Sequence, residues 1–278
     1  MPFLSTRQFW QLKVSQPPVH DMVLAGNSRI FLGLWPRQMA KYLSVRSIYN
    51  FSFVGCSLER PYLEHAARLL NHRSHSPSLV VGVSPHSLMR QTKSNHSLGY
   101  LHWSNRHLPK REEVLRRIRR DNLSGLALAR SLARNLFFLT KGHPLACYFL
   151  DGWEASVPLR KEKEGYAHWM EEVYQKQPVD WALLDDLFKM VSEFQSAGIK
   201  VYGFRPPGDE AMRRIENLKS GLDFTRLPRR FEAAGGKWLK VDETGFPTYD
   251  GVHMDFGTAI RFSRHLAGLI AQAERKGA

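Results

Sequence analysis

The chain has 278 residues, with 40 Lys and Arg against 26 Asp and Glu, a formal charge of +14 at neutral pH. Its hydrophobic share (43%) and charged share (24%) are those of an ordinary globular protein, which excludes wholesale disorder and a disulfide-stapled mini-protein. No run of about 18 apolar residues occurs, which excludes a polytopic membrane protein, and the basic excess points to an anionic partner: nucleic acid, membrane surface or acidic polymer.

The N-terminal segment MPFLSTRQFWQLKVSQPPVHD lacks the apolar stretch and small-residue cleavage site of a signal peptide. Phe9, Trp10 and Lys13 fit a short amphipathic helix. The chain as given is expected to be soluble. Met22–Ala25, closed by Gly26, reads as a buried strand running into a turn. Arg29–Leu43 reads as helical, with Pro36 starting its main part. Ser47–Val54 alternates like a strand, Leu58–His72 is an amphipathic helix, and Leu79–Val83 is a third buried strand. This β-α-β-α-β rhythm is that of a doubly wound parallel sheet.

The rhythm breaks at about residue 86 and resumes near 178. Between them lies a mostly helical insertion, with a basic helix (Lys110–Arg120) and an apolar helix (Leu126–Leu139). A helix over Trp181–Gln195, strands at Ile199–Phe204 and Lys237–Val241, and a final helix over Phe256–Glu274 complete the pattern. Ile260, Leu266, Leu269 and Ile270 form the apolar face of that last helix. The expected fold is a single flavodoxin-like, three-layer α/β/α domain over 1–278, with a five-stranded parallel sheet and the insertion at about 86–178. Cys56 and Cys147 read as reduced, packed thiols.

Polar groups recur where strands end: Gly26-Asn27-Ser28, Gly55-Cys56-Ser57 and Ser84-Pro85-His86. In an open parallel sheet these ends form the ligand crevice. Ser28, between a strand and a helix N-terminus, suits a nucleophile whose intermediate carries an oxyanion, and it equally suits a helix cap. Asp250 and His253, three residues apart, can place a carboxylate against one imidazole nitrogen and leave the other for a serine. Asp-Gly is also a common turn. A metal site built on Asp250, His253 and Asp255 lacks a compact ligand set elsewhere, so neither metal nor cofactor is expected.

Together, strand-G-N-S-R, strand-V-G-C-S and D-G-V-H before the last helix resemble the blocks of the SGNH/GDSL hydrolase superfamily. The resemblance covers about two-thirds of the chain and omits the insertion. It is closest to the G-x-S-R branch of bacterial envelope O-acyltransferase-like and esterase-like proteins. It implies Ser28 as nucleophile, His253 as general base and Asp250 as its orienting carboxylate. It also implies an oxyanion hole from the N–H groups of Ser28 and Gly55. The substrate would be an acylated sugar, polymer or small ester. Asn27 stands where the family has Asp. The third block, Gly-x-Asn-Asp, is absent, and Gly82-Val83-Ser84-Pro85-His86 stands in its place. Ser84 is the expected substitute donor, and loss of one such donor costs about 10²–10³ in rate.

Asn27, Arg29, His86 and Arg205 are substrate-binding candidates. For the two arginines a salt bridge between loops fits as well as a substrate anion. Lys110–Arg120 reads as a basic amphipathic helix, and the apolar segment after it is interrupted by Arg130, Arg134 and Lys141. A solvated arginine face and a membrane surface are both compatible with this pattern. No nucleic-acid-binding module is recognisable.

Overall fold

The chain's apolar runs become strands buried on both faces, which is what forces helices onto both sides of the sheet. The computed structural model describes residues 3–90, 99–100, 110–159 and 165–275. Its strands are β1 (Met22–Ala25), β2 (Ile48–Asn50), β3 (Ser78–Gly82), β4 (Leu145–Tyr148), β5 (Glu154–Val157), β6 (Lys200–Phe204) and β7 (Lys237–Trp238). Five of them form an all-parallel sheet in the order β2-β1-β3-β6-β7. Counted within that sheet this is the 2-1-3-4-5 order of flavodoxin-like folds, with the order reversing between β1 and β3.

The helices are α1 (Thr6–Val14), α2 (Ser28–Gly33), α3 (Pro36–Met39), α4 (Arg60–Arg68), α5 (Arg111–Leu123), α6 (Leu126–Thr140), α7 (Gly165–Lys176), α8 (Trp181–Ser196), α9 (Glu210–Lys219), α10 (Leu227–Ala233) and α11 (Phe256–Arg275). The period-2 alternation of each strand divides the core. Val23, Ala25, Leu79, Val81 and Val201 pack on the side of α1, α4 and α8. Met22, Leu24, Val80, Tyr202 and Phe204 pack on the side of α2, α3 and α11. The result is three layers, α/β/α. On α11, Leu266 and Ile270 are fully buried, while Ile260 and Leu269 sit at the margin.

Several elements are shorter than their sequence patterns. The expected strand over Ser47–Val54 keeps ladder geometry only to Asn50, because the Asn50 side chain accepts from Ser52 N (3.0 Å) and turns the chain. Phe51 N and Phe53 N still donate to Leu24 O and Gly26 O, so the segment continues along β1. The expected helix over Arg29–Leu43 splits in two at Leu34, which is extended. Trp35 N donates to Ser263 Oγ (2.8 Å) on α11 instead of continuing the helix, and Pro36 restarts it. The expected strand Lys237–Val241 pairs over two residues only, although Leu239 N still reaches Gly203 O (2.7 Å).

The insertion holds α5, α6 and α7, and also an antiparallel hairpin, β4–β5, which the sequence reading had merged into the apolar stretch. Residues 91–98, 101–109 and 160–164 of the insertion lie outside the described set. The hairpin is seated on the framework. Trp153, fully buried, donates from Nε1 to Leu32 O (2.8 Å) and stacks on Trp35 at 4.5 Å. Gly152 has φ +85°, and a Cβ there would fall 2.1 Å from Asn50 O, so this turn accepts only glycine. Cys56 is buried and Cys147 exposed, and both are free thiols. No described helix is long and apolar enough to cross a membrane.

The N-terminal helix forms as expected, with one reversal: Lys13 is fully buried. Its Nζ donates to Gly152 O (2.7 Å) and lies over the rings of Phe31 (4.3 Å) and Phe9 (5.2 Å). Burial holds its pKa well below the usual lysine value, opposed by the charges of Glu154 and Asp151. The lysine therefore joins α1 to the hairpin turn. Lys13→Ala opens a cavity among the rings and strands the Gly152 carbonyl, a loss of about 2–4 kcal/mol. Lys13→Met keeps the packing and is expected to cost about half as much. Urea unfolding of the two variants checks this, and equal stability of wild type and Lys13→Ala would refute it.

Candidate active site

β1 ends at Ala25, and the chain turns through Gly26 into α2. Asn27 caps the helix: its Oδ1 accepts from Arg29 N (3.1 Å), and its backbone carbonyl accepts from Ile30 N and Phe31 N. Tyr62 of α4 pins the turn by accepting from Gly26 N (2.8 Å) and donating to Phe51 O (3.0 Å). The far end of α2 is held by Asn50 Nδ2, which donates to Ile30 O and Leu34 O (both 2.9 Å). Gly82 lets the helix sit close to the sheet, since a Cβ there would lie 2.1 Å from Ile30 Cδ1. These contacts fix Ser28 at the switch point, 8% exposed. Its backbone N–H has no acceptor among the described residues.

The partners of Ser28 arrive from the other end of the chain. Between β7 and α11, Asp250 Oδ1 accepts from the backbone N–H groups of Val252 (3.1 Å) and His253 (2.8 Å). This closes a tight turn that presents the imidazole. His253 Nδ1 donates to Asp250 Oδ2 (2.6 Å), and Ser28 Oγ donates to His253 Nε2 (2.8 Å). The hydrogens follow from the chemistry, because an ionised Asp250 only accepts. Burial opposes ionisation of Asp250. The His253 hydrogen bond, the His253 charge and the two backbone N–H groups outweigh it and hold its pKa below the usual carboxylate value. A serine hydroxyl, an imidazole and an orienting carboxylate in this series can move a proton off Oγ as it bonds to carbon. Asp255 does not face this group: its Oδ1 caps α11 by accepting from Thr258 N (2.7 Å).

The other sequence-predicted residues divide. Asn27, Arg29 and His86 line the small cavity beside Ser28, and Arg205 does not. Asn27 Nδ2 gives one proton to Ser84 Oγ (3.0 Å) and has a second N–H to offer. Ser84, fully buried, also accepts from Ser87 N (3.3 Å), so it caps a short 3₁₀ turn and steadies Asn27 from behind. Neither Ser84 nor Gly55 lines the cavity, and Gly55 lies in the turn before Cys56. Burial, followed by the charge of Arg29, lowers the pKa of His86.

Arg29 and Arg205 are held together by a residue the sequence reading did not single out. Glu216 of α9, 1% exposed, accepts from Arg29 Nη1 (2.6 Å) on one carboxylate oxygen and from Arg205 Nη2 (2.8 Å) on the other. Arg29 Nη2 also donates to Pro206 O and Pro207 O, and Arg205 Nη1 reaches Glu243 (3.3 Å). Both arginines are thus ties between α2, the loop after β6 and α9. A glutamate on an amphipathic helix gives no sequence signal of burial, since most are solvated.

The second omission is α7. Tyr166, Met170 and Tyr174, spaced i, i+4, i+8, face the site from the insertion. The Tyr166 ring lies 5.8 Å from the His253 ring. These side chains leave about 10 Å³ beside Ser28, the room of one water. Tyr174 Oη is buried there with no hydrogen-bond partner among the described residues. The i, i+4, i+8 spacing was the available signal, and it reads equally well as an ordinary core face.

No known protein-family model matches the chain, and no curated protein matches it significantly. Among the described residues no group of three or more His, Cys, Asp or Glu side chains is disposed to hold a metal ion.

Proposed function

We propose that this chain is a serine-dependent acyl ester hydrolase or O-acyltransferase of SGNH type, acting on an acylated sugar, polymer or small ester. The observation that carries the proposal is the Ser28–His253–Asp250 series of short hydrogen bonds at the switch point of a parallel sheet. Ser28 Oγ attacks the ester carbonyl while its proton passes to His253 Nε2. Asp250 holds the imidazole in the tautomer that can accept that proton and stabilises the resulting imidazolium. The oxyanion is met by the free N–H of Ser28 and by the second N–H of Asn27, in place of the missing third-block Asn. Collapse of the intermediate breaks the ester C–O bond, and His253 returns the proton to the leaving alcohol. Water or a sugar hydroxyl then attacks the acyl-enzyme, again with His253 as base.

One observation favours a second reading, a non-catalytic binding protein on the same fold: the cavity at Ser28 has room for only one water. A fluorophosphonate probe and an acetyl-ester assay separate the two. The esterase reading expects labelling of the wild type at Ser28, none of Ser28→Ala, and turnover of the ester by the wild type. A folded wild type that neither takes the label nor turns over ester defeats it in favour of the binding reading.

A further inference from the structure

Helix α6 is built inside out. Leu128, Leu132, Leu136 and Leu139, about one turn apart, are between 41% and 62% exposed. Phe137 (57%) extends the same outward arc. Arg134 and Asn135 turn inward toward β4, while Arg130 remains about half exposed. Arg130 pairs with Asp121 of α5 (2.9 Å). Arg134 donates to Ala146 O and lies over the Tyr148 ring at 4.5 Å, while Asn135 Oδ1 accepts from Ala146 N (3.1 Å). Ala127 is the one fully buried residue of this helix. A surface helix of a globular protein does the reverse, burying its apolar stripe and exposing its charges. An outward leucine stripe of this length marks a surface meant to be covered.

The charge around the stripe identifies the cover. From Asn122 to Leu150 there is no acidic residue. Arg116, Arg119 and Lys141 are exposed and form no ion pair with a described residue. A second copy of this chain would bring two such basic segments face to face, and like charges in close apposition oppose pairing. A surface that is apolar below and anionic above satisfies both features. At 15 residues, α6 is about 22 Å long, too short to cross a bilayer but suited to lying in its interface.

We propose that α6 docks the protein on an anionic membrane surface, its leucine stripe entering the headgroup–acyl boundary and Arg116, Arg119 and Lys141 meeting lipid headgroups. This inference does not depend on the chemistry at Ser28. The test is cosedimentation of the full chain with vesicles of phosphatidylcholine alone or mixed equally with phosphatidylglycerol. The mixed vesicles are expected to bind at least about tenfold more tightly, with binding weakened by salt. Leu132→Gln/Leu136→Gln is expected to weaken binding by about tenfold or more, with an unchanged melting temperature because both positions are exposed. Arg116→Glu/Arg119→Glu should weaken it as well and checks the charge contribution independently. Equal binding to the two vesicle types, or undiminished binding by the leucine variant, overturns the proposal. So does a dimer seen by light scattering that the leucine variant dissolves while no vesicles bind.

Discussion

Replacement of Ser28 by Ala is expected to lower acetyl-ester turnover by about 10⁴-fold or more, on the mechanism proposed above. The change removes the atom that bonds to the acyl carbon and leaves the fold nearly untouched. Ser28 Oγ has His253 as its partner, and the cap of α2 belongs to Asn27. His253→Ala should fall by a similar factor, since the hydroxyl then has no base. The double variant should be no slower than either single one, because the two groups act as one unit. That non-additivity is the sharper part of the expectation. Initial rates for the three variants decide it. A Ser28→Ala protein within about tenfold of wild type, or a double variant showing the product of the single losses, rejects this use of the site.

Glu216→Ala is the second large effect, and it falls on stability. The carboxylate is shared between two guanidinium groups that are almost wholly out of water. Its removal leaves Arg29 buried with no carboxylate partner among the described residues and Arg205 with Glu243 alone, at an expected loss of about 3–5 kcal/mol and a melting temperature lower by about 10 °C. Pro206 O and Pro207 O still accept from Arg29, and Phe224 still lies under Arg205 at 3.5 Å. Those contacts hold the guanidinium groups in place without balancing their charge, and Glu243, 3.3 Å from Arg205 Nη1 and partly exposed, balances that of Arg205 only in part. Glu216→Gln should lose somewhat less, since it retains one acceptor. Thermal unfolding measures both variants, and a loss below about 1 kcal/mol for Glu216→Ala would show that water reaches the arginines. Arg29 follows Ser28 directly, so turnover of Glu216→Ala, measured below its melting point, should fall as well.

The framework was legible because its signals are local and repeated. Met22–Ala25 and Ser78–Gly82 are buried on both faces, so their sequences read as unbroken apolar runs. Ser28, Asp250 and His253 were legible because strand ends in a parallel sheet converge whatever their separation along the chain. What stayed hidden depends on partners remote in sequence. Lys13 looked like the polar edge of α1, and only the rings and the Gly152 carbonyl explain its burial. Glu216 carries no local mark of its two arginines. Ser84 stands after β3 as its position suggested, but its partners Asn27 and Ser87, which place its hydroxyl behind Asn27, are not legible from that position. The β4–β5 hairpin was obscured because its first strand continues an apolar stretch that begins in α6.

The contact between Ser28 and His253 spans 225 residues of chain. During synthesis the serine emerges 225 residues ahead of its imidazole. A nascent or truncated chain lacking the segment after β7 holds Ser28 without its imidazole partner, whatever else of the sheet has formed. On the proposed mechanism, reactivity at Ser28 therefore reports that the segment carrying His253 has docked beside α2. On the proposed mechanism, an acylating probe added during refolding would time the closure of this 225-residue loop.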